Sequence, residues 1–133
     1  MANIACILGS FHHTEVSRML SAAKAKANDL NLTITEEIWV PGSYEKPLAL
    51  KRALEKPSID AAILLGIIEK GETKHGLVMG HSLSDAVVHL QLEFMKPIGM
   101  GILGPGIMPE QIESRLEPYA EAAVEAVGKM LVK

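Results

Sequence analysis

Short apolar runs of strand length alternate along this chain with longer stretches in which apolar residues return every three or four positions. That is the pattern of β-α-β units around a parallel sheet. Asn3 to Leu8 reads as a first strand, stopped by Gly9-Ser10. A helix over about Thr14–Asn28 follows, with Val16, Met19, Leu20, Ala23 and Ala27 on one face. Thr33 to Val40 reads as the second strand and ends at the turn Pro41-Gly42; a shorter helix then carries Leu48, Leu50, Ala53 and Leu54 toward the core. Pro47 helps to place its start, because proline is best tolerated in the first helical turn, where its missing N–H is not needed. Glu45 and Lys46 therefore sit at the helix mouth.

Ala61 to Ile68 is a continuous apolar run between Asp60 and Glu69-Lys70-Gly71, as expected of a central strand covered on both faces. A long helix over about Thr73–Phe94 comes next, then a strand over Ile98–Leu103, the turn Gly104-Pro105-Gly106 and a final helical region from Pro109. There Ile112, Leu116, Ala120, Ala123, Val127 and Met130 recur at helical spacing, and Pro118 predicts a kink or break at Glu117. The reading is four strands and four helices, strand first. Right-handed crossovers then give an α/β fold: a three-layer sandwich with a four-stranded parallel sheet and helices on both faces. Ligands bind such sheets at the loops after the strands, here Gly9–His13, Pro41–Lys46, Glu69–His75 and Gly104–Met108.

A length of 133 residues predicts one domain spanning residues 1–133, and 48% hydrophobic against 22% charged residues argues against disorder. No apolar run reaches the ~20 residues that would cross a bilayer. Net charge is -3 with scattered lysines and arginines, which gives a nucleic-acid backbone nothing to follow. A single cysteine, Cys6, in an apolar stretch and no signal-like start predict a reducing, cytoplasmic setting.

Gly71-Glu72-Thr73-Lys74-His75 follows a buried strand and opens a long helix, where free N–H groups and the positive dipole end converge. It is either an anion seat, with the Thr73 hydroxyl as donor or cap, or an ordinary capped helix start. His75 falls in the first turn, where the dipole disfavours imidazolium; it is either a neutral acid/base group or a surface histidine. Arg115 has Gln111, Ile112, Pro118 and Tyr119 at helical spacing, so its partner lies elsewhere, in a distant carboxylate or a bound anion. Phe11, in a strand-end loop, either stacks on a planar heterocycle or folds back over the core. Glu45 either binds substrate hydroxyls or favours the helix start.

Other strings carry less. Gly99-Met100-Gly101-Ile102-Leu103-Gly104 matches GxGxxG, but its glycines fall within and at the end of the fourth strand and no helix opens on the third. His12, His13, His75, His81 and His89 have no recognised ligand spacing, so no metal is expected. Ser10 and Ser43 lack the GxSxG elbow of a hydrolase.

Val40-Pro41-Gly42-Ser43-Tyr44-Glu45-Lys46-Pro47, Leu65-Gly66-Ile67-Ile68-Glu69-Lys70-Gly71-Glu72-Thr73-Lys74-His75 and Glu110-Gln111-Ile112-Glu113-Ser114-Arg115 closely resemble the three signature segments of lumazine synthases. The turn Gly104-Pro105-Gly106 is similar to the archaeal branch. The resemblance runs along almost the whole chain and implies a flavodoxin-like sandwich. It also implies condensation of 5-amino-6-ribitylaminouracil with 3,4-dihydroxy-2-butanone 4-phosphate to 6,7-dimethyl-8-ribityllumazine, without cofactor or metal. By the same likeness, Phe11 stacks on the pyrimidine. Glu45, with the backbone of Ser43 and Tyr44, holds the ribityl chain, and backbone groups of Ile68 and Glu69 meet the ring edge. Glu72, Thr73 and a neighbour's Arg115 bind phosphate, His75 moves protons, and Met100 reaches in from the neighbour. A homo-oligomer follows, a pentamer or twelve pentamers in a shell, with two small-molecule substrates and a site shared between subunits. The fold alone equally allows a flavodoxin-like module that binds flavin or phosphate without turnover, or a structural shell paralogue.

Overall fold

The computed structural model describes residues 1–132. Its elements are β1 (Ala2–Gly9), α1 (His13–Asp29), β2 (Leu32–Val40), α2 (Lys46–Leu54), β3 (Ala61–Glu69), α3 (His75–Phe94), β4 (Ile98–Ile107), α4 (Pro109–Ile112) and α5 (Leu116–Leu131). Single turns of 3-10 helix lie at Ser43–Glu45 and Glu113–Arg115. The strands form one parallel sheet in the order β2-β1-β3-β4. Parallel neighbours need crossovers, and the crossover helices cover both faces, which gives the expected three-layer α/β sandwich.

Alternation along the two central strands divides the core. Ile4, Cys6 and Leu8 of β1 and Ile63 and Leu65 of β3 pack with Val16 and Met19 of α1 and with Leu116 and Ala120 of α5. Ala5 and Ile7, with Ala62 and Leu64, face Leu50 and Leu54 of α2 and Leu83 and Val87 of α3. No helix among the described residues is long and apolar enough to cross a membrane.

The structure corrects several expected details. Helix α3 begins at His75 and not at Thr73, because the Thr73 hydroxyl accepts the His75 N–H at 3.3 Å and closes a turn outside the helix. Leu48 is exposed, since it lies about 200° around α2 from Leu50. Met130 is exposed as well, and Leu131 packs against the core instead. The final helical region breaks before Glu117, at Glu113–Arg115, so that the described residues hold five α-helices and not four. Pro118 then falls in the first turn of α5, where its missing N–H costs nothing.

Strand β4 also outruns its expected end at Leu103. It passes through Gly104-Pro105-Gly106 to Ile107, which pairs with Glu69 after a register shift at the end of β3. Gly104 and Gly106 adopt φ +100 and +86, a region open to glycine and strained for other residues. A Cβ on Gly104 would lie 2.1 Å from the Ile68 carbonyl oxygen. The substitution Gly104→Ala should therefore lower stability by about 3 kcal/mol, measured by urea unfolding. A loss under about 0.5 kcal/mol would show that this crossing tolerates a side chain.

Candidate functional site

Three strand-end loops converge at the carboxyl edge of the sheet. After β1, both the N–H and the hydroxyl of Ser10 bond to the Val40 carbonyl, at 2.8 and 2.9 Å, which ties this loop to the end of β2. His13 stacks on Trp39 with centroids 4.3 Å apart, and His12 takes a left-handed conformation that caps α1. The two anchored histidines hold Phe11 out into solvent at 70% exposure, so its ring does not fold back over the core. The buried His12 Nε2 has no hydrogen-bond partner among the described residues; Glu69 Oε1, at the end of β3, lies 3.5 Å from it.

A cavity of about 440 Å³ opens between these loops. Of the residues singled out in the sequence, Phe11, Ser43, Ile68, Glu69, Thr73 and His75 line it. Tyr44 packs edge-on against the His75 ring, 5.9 Å between centroids. Glu45 is exposed in the 3-10 turn beside Gly42. A second cavity of about 400 Å³ adjoins the first along Glu69–Lys74 and includes Glu72, Thr73, Gly76 and Leu77. The first N–H groups of α3 have no helical carbonyl to bond, and Lys70 and Lys74 stand beside them. The remaining unbonded N–H groups, the dipole and two cations favour an anion here, opposed by the carboxylates of Glu69 and Glu72, which line the same pocket.

Arg115 and Met100 line neither cavity. The Arg115 guanidinium donates to the Gln111 carbonyl at 2.9 Å and reaches the Ser114 hydroxyl at 3.5 Å, so its own chain does satisfy part of it through backbone four residues earlier. No carboxylate pairs with it among the described residues; Glu113 and Glu117 are engaged by Arg18. Met100 is exposed on the edge strand β4. The GxGxxG string lies within β4 and opens no helix.

The residue that loop reading missed is Lys46. It is 1% exposed, and it forms part of the wall of the larger cavity. Its Nζ donates to the Ser43 hydroxyl at 3.2 Å and lies against the bare Cα positions of Gly9 and Gly66. The signal was present in the helix period: Lys46 stands four residues before Leu50, three before Ala49 and seven before Ala53, in the middle of the buried stripe of α2. Burial lowers its pKa from the ordinary 10.5 to about 8, opposed only by the neighbouring charge of Glu45.

The whole chain, residues 1–133, matches the family model described as 6,7-dimethyl-8-ribityllumazine synthase. It is similar to proteins of that name from Saccharolobus islandicus, 40% identical over 125 residues, covering 94% of this chain and 81% of the relative. The protein of the same name from Metallosphaera sedula is 40% identical over 124 residues, covering 93% and 82%. That from Staphylothermus marinus is 37% identical over 131 residues, covering 98% and 87%.

Lys46 makes stability depend on pH in a defined sense. Between about 8 and 10.5 the unfolded chain holds more of this proton than the folded one, so the Lys46 contribution to stability rises with pH across that window. Below it, the penalty of burying the ammonium is fully present. The variant Lys46→Met should be more stable than the parent at pH 7, by on the order of 2 kcal/mol, and the gap should close toward pH 10.5. Denaturant unfolding of both proteins across this range measures it, and a pH-independent gap would contradict the assignment.

Proposed function

Because this chain belongs to the 6,7-dimethyl-8-ribityllumazine synthase family, we infer that it condenses 5-amino-6-ribitylaminouracil with 3,4-dihydroxy-2-butanone 4-phosphate, releasing phosphate and water. The observation that carries this reading is the joining of two cavities at one edge of the sheet. One is walled by an exposed aromatic ring, strand-end backbone and a histidine; the other is suited to phosphate.

The division of labour follows from that juxtaposition. Phe11 offers a ring for stacking, and the strand end at Ile68 and Glu69 offers backbone groups to the edge of a pyrimidine. Ser43 lines the same cavity, and with Tyr44 and Glu45, which follow it in the 3-10 turn before α2, it takes the ribityl hydroxyls. Glu72, through its N–H, and Thr73 hold the phosphate in the adjoining pocket. The amine of the first substrate is itself the nucleophile, so the protein's task is to orient two molecules, stabilise departing phosphate and move protons. His75 stands at the junction of the two cavities' loops, within the larger one, and is the proton carrier.

Arg115 and Met100 complete the site of an adjacent subunit in a cytoplasmic homo-oligomer of pentamers, either alone or twelve to a shell. Supporting this is the position of both residues outside their own chain's cavities, with no carboxylate on Arg115. Residues 1–133 form one domain in each subunit of this assembly.

Mixing the two substrates and following lumazine absorbance together with phosphate release tests the reading; no product between pH 6 and 8 would sink it. The variant His75→Ala should reduce kcat by roughly 10 to 10⁴-fold, and an unchanged kcat would remove the proton-carrying role. Arg115→Ala should raise KM for the phosphorylated ketone by about 10-fold or more while leaving KM for the pyrimidine near its parent value. Equal effects on both would place Arg115 elsewhere. Light scattering should report a pentamer or a multiple of it, and a monomer that turns over would end the shared-site arrangement.

A further inference from the structure

The buried ammonium of Lys46 is short of protein partners among the described residues. An ammonium has three protons to donate, and a buried one left short of acceptors is costly. Among the described residues Nζ reaches one acceptor, the Ser43 hydroxyl at 3.2 Å, and no carboxylate lies within ion-pair distance. The other buried polar side chain is Ser43 itself. The surroundings are shaped around the amine: a Cβ on Gly9 or Gly66 would come within 2.9 or 2.7 Å of Nζ. Two glycines on adjacent strands thus leave the space that the lysine end fills, at the floor of the larger cavity.

We propose that Lys46 is a ligand-contacting residue of this site, its ammonium donating to a ring carbonyl oxygen of the bound pyrimidine-derived heterocycle. The inference rests on the synthase reading and adds to it a residue that reading does not use. Two placements favour the ring over the phosphate. Lys46 lines the larger cavity, which also holds the Phe11 ring, and does not line the adjoining pocket that the Gly71–Leu77 segment walls. Its Nζ also lies at Gly9, the last residue of β1, which leads into the loop that carries Phe11. A charge-assisted bond to a carbonyl is stronger than one to a neutral hydroxyl, of which Ser43 already supplies one.

A purely structural lysine would make a different set of predictions from a ligand-contacting one. The experiment compares the parent, Lys46→Met and Lys46→Gln by calorimetric titration with 6,7-dimethyl-8-ribityllumazine and by steady-state kinetics with each substrate varied. Methionine keeps length without donors; glutamine keeps a neutral donor and carries the test if the methionine variant does not fold. Lys46→Met should bind the lumazine about 10 to 100-fold more weakly, and Lys46→Gln should lose less. KM for the pyrimidine should rise in parallel, while KM for the phosphorylated ketone stays within about twofold. The same loss should appear with 6,7-dimethyllumazine, which lacks the ribityl chain. Lumazine affinity within about twofold of the parent in a folded variant would overturn the proposal, as would equal weakening toward both substrates or a loss that vanishes with the ribityl-free ligand. Turnover by the parent protein reports separately on the synthase reading, so failure of one is told from failure of the other.

Discussion

Eight consecutive residues of β3, Ala61 to Ile68, are buried, and their alternate side chains go to opposite helical layers. A strand enclosed in this way can satisfy its backbone groups only through β1 and β4, which fixes its place in the sheet and the direction of all four strands. The carboxyl ends of β1 and β3 consequently lie side by side, with β2 and β4 ending beside them. Every loop that walls the two cavities starts from one of those ends. Register, more than loop composition, brings Phe11, Ser43, Glu69 and His75 to one place.

Within that frame, stability and function pull in opposite directions at α2. The helix stripe that buries Ala49, Leu50 and Ala53 also buries Lys46, and an apolar residue there would serve the core better. Gly9 and Gly66 make room for the amine on strands that would otherwise favour side chains, so the cost is spread over three positions. Such an arrangement is typical of sites where a buried polar group awaits a partner that the fold does not contain. The Gly104 crossing is a second local cost of the same kind, because it carries β4 past Ile68 and pins Lys70 to the Ile107 carbonyl at 2.9 Å, beside the second cavity.

The helical covering is less demanding in its details. Helix α5 starts at Leu116, ahead of the break its proline suggests at Glu117, and still delivers Leu116, Ala120, Val124 and Val127 to the core. The break at Glu113–Arg115 leaves the Arg115 guanidinium bound to backbone and unmatched by a carboxylate, while Arg18 gathers the two nearby acids. A small shift in where a helix is interrupted thus decides which arginine meets the two acids.

The order of elements, the parallel sheet, the two-sided burial of β3 and the positions of the strand-end loops were legible in the sequence, because each depends on local periodicity and on residues that stop a strand or start a helix. The likeness to the family's signature segments was legible too. Leu48, Met130 and the end of β4 were not, since which side of a helix faces the sheet, and where a glycine pair lets a strand continue, depend on partners distant in the chain. Lys46 lay between the two cases. Its place in the apolar stripe of α2 was written in the spacing, but that the stripe points a charge at the floor of the cavity was decided only when β1 and β3 brought Gly9 and Gly66 beneath it. Local spacing fixes the face a residue occupies; only packing fixes what that face meets.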